Sequence, residues 1–118
     1  MAWELMVRES FSAAHFLKHY QGKCENMHGH TFTVEVHLKG EKQDASGITW
    51  DFTRVRQVLR DLLPDHRLLN EVYDFSPSAE NLARQFFQDL QRYFPVTAVT
   101  VWESPQAAAT YREDVSPS

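Results

Sequence analysis

The sequence predicts an α+β fold, one antiparallel sheet of four strands covered by two helices, in the order ββααββ. Three observations carry this. Two stretches near the start alternate apolar and polar residues with period two. Two later stretches repeat their apolar residues at helical spacing. A run rich in β-branched residues, VTAVTVWE, follows the second helix and reads as a strand.

The elements follow in order. Residues 2–14 and 28–40 read as long strands. In the first, the odd positions are Trp3, Leu5, Val7, Glu9, Phe11, Ala13 and His15. In the second, the even positions are His28, His30, Phe32, Val34, Val36 and Leu38. Each row faces one side of a pleated sheet, and Glu9 is the one charged residue in the first row. Residues 16–27 connect the strands, with Gly22 as a turn residue. Residues 41–50 are polar, contain Gly47 and read as a loop.

Asp51 is placed to cap a helix carrying Phe52, Val55, Val58, Leu59 and Leu62, which Pro64 stops. Ser76 and Pro77 suit the cap and first position of a second helix. Its stripe is Leu82, Phe86, Leu90 and Tyr93, widened by Phe87, and Pro95 ends it. Residues 96–103 form the third strand and 107–113 the fourth. The tail, 114–118, reads as disordered.

The chain has 118 residues, 42% of them hydrophobic and 15 aromatic, enough for one domain with one core, 1–118. A domain this small gains from oligomerisation. Net charge is −4 with no basic tract, which argues against nucleic acid as a partner. No apolar run is long enough to span a membrane, and MAWELMVRES does not read as a signal peptide. One cysteine excludes an intrachain disulfide and fits a reducing compartment, so the expected location is the cytoplasm.

The chemistry gathers around three histidines. His15 closes its apolar row, and His28 and His30 open theirs, so all three point to one side where the strands meet the loop. Three imidazoles with an open fourth position form a catalytic zinc arrangement, although iron, nickel or copper also accept such ligands. His19 and His37 read as ordinary histidines. Cys24 precedes HGH as C-x3-H-x-H and has three readings: a buried inert thiol, a fourth ligand, or a nucleophile or base. A thiol near a zinc ion has a lowered pKa.

Asp65 and His66 are adjacent at the end of the first helix, where the carboxylate can fix the imidazole tautomer; the alternative is a plain helix terminus. Glu103 continues the row of Val99 and Val101. A buried carboxylate there needs a partner, and a guanidine-like edge offers two parallel donors; the alternative is an exposed strand end.

The stretches FSAAH, GKCENMHGH, WDF, DHRLLN, PSAENLA, and VWES with a downstream alanine-rich segment and Tyr111 occur in this order across nearly the whole chain. Together they resemble the 6-pyruvoyl-tetrahydropterin synthase and 6-carboxytetrahydropterin synthase family. The resemblance implies a tunnelling fold (T-fold). In it, three subunits close their four-stranded sheets into a barrel and two trimers stack into a hexamer. It implies that His15, His28 and His30 hold Zn²⁺. Cys24 is then a proton-transferring thiol, Asp65 and His66 complete the catalytic set, and Glu103 anchors the pterin. Ser78, Ala79 and Glu80 lie in the segment that lines the pterin pocket.

The implied substrate is 7,8-dihydroneopterin triphosphate. Cysteine three residues before HGH resembles the branch that releases acetaldehyde and triphosphate to give 6-carboxy-5,6,7,8-tetrahydropterin, towards 7-deazaguanine and queuosine. Glu25 also creates E-x2-HGH, the pattern of the branch that cleaves the side chain to 6-hydroxymethyl-7,8-dihydropterin. The combined CE-x2-HGH allows a dual activity, and 6-pyruvoyl-tetrahydropterin formation is the third alternative. Otherwise Glu25 is a solvent-facing loop carboxylate. A reading of another class, a non-enzymatic zinc- or pterin-binding module, would not need the proton-transfer set.

Overall fold

A computed structural model describes residues 2–18 and 26–113. β1 (Trp3–His15) and β2 (His28–Gly40) pair antiparallel along their full length, from Trp3 opposite Gly40 to His15 opposite His28. The alternation in the sequence becomes burial. Val7, Phe11 and Ala13 of β1, and Phe32, Val34, Val36 and Leu38 of β2, are buried on one face. That face carries the helices, and the opposite face exposes Arg8, Ser10, Thr31 and Lys39.

The loop after β2 closes through Asp44, whose carboxylate accepts from the Ser46 and Ile48 amides, while Gly47 takes a φ of 85°. L-residues rarely adopt that angle. Asp51 caps α1 (Phe52–Leu62) by accepting from Thr53 N, as the sequence indicates. Val55, Val58 and Leu59 pack α1 on the core. α1 is also tied by charge. Arg56 and Arg60 reach down to Glu9, whose side chain is only 13% exposed, at 3.1 and 3.2 Å.

Five sequence expectations need correction. The sheet has five strands, in the order β3-β1-β2-β4-β5, and is mixed. The added strand, β3 (Arg67–Leu68), pairs parallel with Ala13 and Ala14. Two residues carry no readable period, and long-range bonding alone defines them. A third helix is also present: a single turn, α2 (Leu69–Val72), follows β3.

The long second helix, α3 (Ala79–Leu90), is capped by Ser78, not Ser76, with the Ser78 hydroxyl accepting from Asn81 N. Pro77 therefore precedes the cap, and its carbonyl is committed elsewhere, as described below. Tyr93 is not in the buried stripe: α3 ends at Leu90, the phase breaks, and Phe94 takes the core position while Tyr93 is 52% exposed. β4 (Val96–Ser104) and β5 (Ala107–Tyr111) complete the sheet, so the last strand stops two residues before its expected end.

Phe86 and Phe87 of α3 join the core over the sheet, Phe86 meeting Phe11 edge-on. β4 runs antiparallel to β2 with a bulge at Thr97. A second irregularity sits at its other end. Trp102 faces Ala108 but Ser104 faces Ala107, leaving Glu103 as the extra residue. Bulges of this kind re-aim a side chain and occur beside active sites. No helix among the described residues is long and apolar enough to cross a membrane. The expected disorder of 114–118 falls outside the described residues.

Candidate metal centre and active site

The site is built where β1 ends and β2 begins. His15 and His28 face each other in the β-ladder and His30 is opposite Ala13, two positions along. Period-two geometry puts the three imidazoles on the core side, at the end not covered by α1. Phe32 forms their floor: its ring meets His15 at 5.3 Å and His30 at 5.6 Å, both edge-on, and stacks on Phe11 beneath. β4 adds Glu103, in phase with buried Val99 and Val101. One ligand atom from each of His15, His28, His30 and Glu103 lies within 4.8 Å of the others.

Hydrogen bonding fixes how two of the rings can act. His15 Nδ1 is 2.8 Å from the Pro77 carbonyl, and His28 Nδ1 is 2.7 Å from the Asn26 carbonyl. A carbonyl only accepts, so each Nδ1 carries the proton and each Nε2 presents a lone pair. This is how metal-binding imidazoles are usually oriented. The Nε2 atoms of His15 and His30 are buried and have no hydrogen-bond partner. Leaving such atoms unsatisfied is costly.

Glu103 Oε1 stands 3.2 Å from His15 Nε2 and 3.6 Å from His30 Nε2. At His15 a lone pair therefore faces a carboxylate, two acceptors with nothing to share, unless a cation or a proton lies between them. Burial pulls the His30 pKa below its usual value, Glu103 opposes this, and His15 and His28 reinforce it. A neutral ring keeps its lone pair free. The four ligand atoms, all within 4.8 Å of one another, are close enough to share one ion. The residues fit a metal ion.

Asp65 and His66 lie elsewhere on the chain surface. Asp65 Oδ1 accepts from Ser12 N at 2.8 Å and Oδ2 is 2.9 Å from His66 Nδ1. The His66 backbone N–H donates to Ser12 O at 2.6 Å, and its φ is 57°. The Ser12 amide, more than any other contact, holds the Asp65 carboxyl below the usual Asp range. The two residues thus form the pair the sequence suggested, docked on the edge of β1. The His66 side chain is 83% exposed, and no hydrogen bond or ion pair joins it to the three histidines among the described residues. It borders an open depression of about 610 Å³ that also reaches Gly29, His30 and Thr31.

Ser78 is occupied in capping α3, Ala79 packs partly against the core and Glu80 is exposed in the first turn. Cys24 and Glu25 fall outside the described residues. Sequence reasoning placed Glu103 against a ligand only; its closeness to the imidazole nitrogens of His15 and His30 was not foreseen, although its row with Val99 and Val101 is the buried one.

The sequence profile of the 6-pyruvoyl tetrahydropterin synthase family matches residues 4–114. The chain belongs to this family. Among family relatives, the 6-carboxy-5,6,7,8-tetrahydropterin synthase of Bacillus subtilis is 32% identical over 94% of this chain and 86% of its own length. A dihydroneopterin monophosphate aldolase of Pyrococcus furiosus is 32% identical over 87% of this chain and 91% of its own. The structure of Caenorhabditis elegans 6-pyruvoyl tetrahydropterin synthase superposes with a TM-score of 0.85 at 29% identity, covering 97% of each chain. The expected T-fold is therefore the fold of this chain, which is an enzyme of the pterin synthase type, a lyase.

Proposed function

We propose that the protein is a zinc-dependent lyase that converts 7,8-dihydroneopterin triphosphate to 6-carboxy-5,6,7,8-tetrahydropterin, acetaldehyde and triphosphate. The observation that carries the zinc centre is the pair of buried, unpartnered Nε2 atoms of His15 and His30, with the proton of His15 held at Nδ1. The product is supported by the C-x3-HGH spacing and by the names of relatives such as that of Bacillus subtilis.

His15, His28 and His30 would hold the ion, His15 and His28 through the Nε2 that their Nδ1–carbonyl contacts leave free. When bound, it supplies Lewis acidity towards the oxygens of the substrate side chain. Glu103 anchors the N–C–N edge of the pterin with its carboxylate. It stands at the rim of the metal cluster, one-third exposed, so a ring held there brings its side chain to the histidines. Cys24 moves protons at the substrate carbons. His66 is the second proton carrier. Its Nδ1 is turned to Asp65, which leaves Nε2 to exchange protons with substrate. Residues 78–80 line the pocket at the start of α3.

Among the described residues no hydrogen bond or ion pair joins His66 to the histidine cluster, and the sheet has open edges: β1 from Trp3 to Phe11, before the Asp65–His66 and β3 contacts, and β5. Exposed edges invite pairing. A trimer closed through these edges, doubled to a hexamer, completes each site with Asp65 and His66 of a neighbour. A second reading, side-chain cleavage to 6-hydroxymethyl-7,8-dihydropterin, is favoured by Glu25 in E-x2-HGH and by the aldolase relative. Incubating zinc-loaded protein with 7,8-dihydroneopterin triphosphate and identifying the pterin by mass spectrometry decides between them. Absence of any pterin product refutes the lyase reading for this substrate.

A further inference from the structure

His15 is held from both sides by side-chain amides to which neither the sequence reading nor the family resemblance gave a role. β3 pairs with Ala13 and Ala14, then the chain turns away into α2. Asn70 takes over the ladder with its side chain. Its Oδ1 accepts from Phe16 N and its Nδ2 donates to Phe16 O, each at 3.0 Å. The amide thus replaces a missing strand neighbour at the residue immediately after the metal ligand.

The other side is the turn that offers Pro77 O to His15 Nδ1. Pro77 is buried and has no N–H of its own to lock it. The turn is fixed at Ser76, whose carbonyl accepts from Ser78 N and from Asn81 Nδ2, both at 2.9 Å. The backbone N–H of Asn81 donates to the Ser78 hydroxyl, and Arg84 donates to Asn81 Oδ1 at 3.2 Å. That last bond sets the amide so that its NH₂ points to Ser76. Asn81 therefore ties the first turn of α3 to Ser76, the residue before the carbonyl that orients His15.

We infer that Asn70 and Asn81 are positioning residues of the metal centre: one fixes the peptide that carries His15 and the other fixes the carbonyl that selects its tautomer. The inference rests on the metal-centre reading above. Outer-shell partners of this kind typically tune metal affinity about 10- to 100-fold.

The test uses Asn70→Asp and Asn81→Asp, which keep the shape but turn an acceptor towards a carbonyl. Asn70→Ala and Asn81→Ala replace any variant that does not accumulate. Zinc affinity is measured by competition with a chromogenic chelator, and ligand geometry by the visible absorption of cobalt-substituted protein. Glu9→Gln, which loosens the remote clamp on α1, serves as the control for lost fold stability. Each asparagine variant is expected to bind zinc about 10- to 100-fold more weakly with an altered cobalt spectrum, while Glu9→Gln keeps wild-type values in both. Wild-type affinity and spectrum in both asparagine variants overturn the inference alone. A wild-type protein that takes up neither ion overturns the metal centre and this inference with it.

Discussion

Glu103→Gln tests the site most directly, because the carboxylate sits between two proposed duties. The substitution is isosteric, so the bulge in β4 is kept. It removes the charge and replaces one acceptor oxygen with a donor. A hydrogen bond to a charged group is worth about 1.5–3 kcal/mol net, and about 1.4 kcal/mol is a factor of ten. The anchor reading thus gives a loss of about 10- to 150-fold in substrate affinity. One-third exposure of the side chain screens the charge and places the expected value in the lower part, about 10- to 40-fold. The assay is fluorescence titration of the pterin against zinc-loaded protein, with zinc content measured on the same samples. Zinc should stay near one per subunit, since three imidazoles remain. Unchanged pterin affinity refutes the anchor. Lost zinc in the variant moves Glu103 from anchor to metal ligand.

Four further outcomes follow. His28→Ala should lose both zinc and activity, by metal analysis and turnover; full zinc in this variant would sink the three-histidine assignment. Cys24→Ala should keep zinc and lose 6-carboxytetrahydropterin formation by about 10²-fold or more. If cleavage to the hydroxymethyl product survives in it but disappears in Glu25→Ala, the two residues serve separate reactions. Asp65 has a depressed folded pKa, caused first by the Ser12 amide. Its contribution to stability is therefore present above the ordinary Asp range, about 3.9, and is lost as pH falls through the lower folded value. Urea unfolding from pH 6 to 2.5 should show this acid-linked loss in the wild type and less of it in Asp65→Asn; identical curves would contradict the assignment. Finally, Cys24→Ala and His66→Ala subunits, each inactive, should regain part of the activity when mixed, dissociated and reassembled. No recovery despite proven subunit exchange would mean that each chain supplies its own pair.

The parts of the fold with a period were legible in the sequence. Strand alternation placed His15, His28 and His30 on one face because side-chain direction in a strand is set by parity alone. Asp51 announced α1 because its carboxylate precedes a helical stripe. The parts set by distant partners were not legible. β3 and α2 together span six residues, Arg67–Val72, and owe their form to Ser12, Ala13 and Phe16. Ser76 and Ser78 are equivalent as caps by composition; the demand of His15 for the Pro77 carbonyl goes with the second. Asn70 and Asn81 carry neither charge nor hydrophobicity, so although they fall in the DHRLLN and PSAENLA stretches, no periodic pattern gives them a role. Glu103 was recognised as an apolar row's odd member, but its closeness to His15 and His30 depends on how β4 pairs with β2, which no local pattern gives.

Glu9 is the other odd member of an apolar row, and its consequence reaches further than α1. Apolar side chains on a sheet are interchangeable neighbours, so Val55, Val58 and Leu59 alone would let the helix settle in several nearby registers. A carboxylate gripped by Arg56 and Arg60, one turn apart, favours one of them. Ion pairs of this sort can add little net stability and still specify a unique arrangement. The chain leaves α1 through Pro64 directly into Asp65 and His66, so the register of the helix is also the address at which the imidazole is delivered. The clamp on Glu9 thereby bears on where His66 meets the edge of β1.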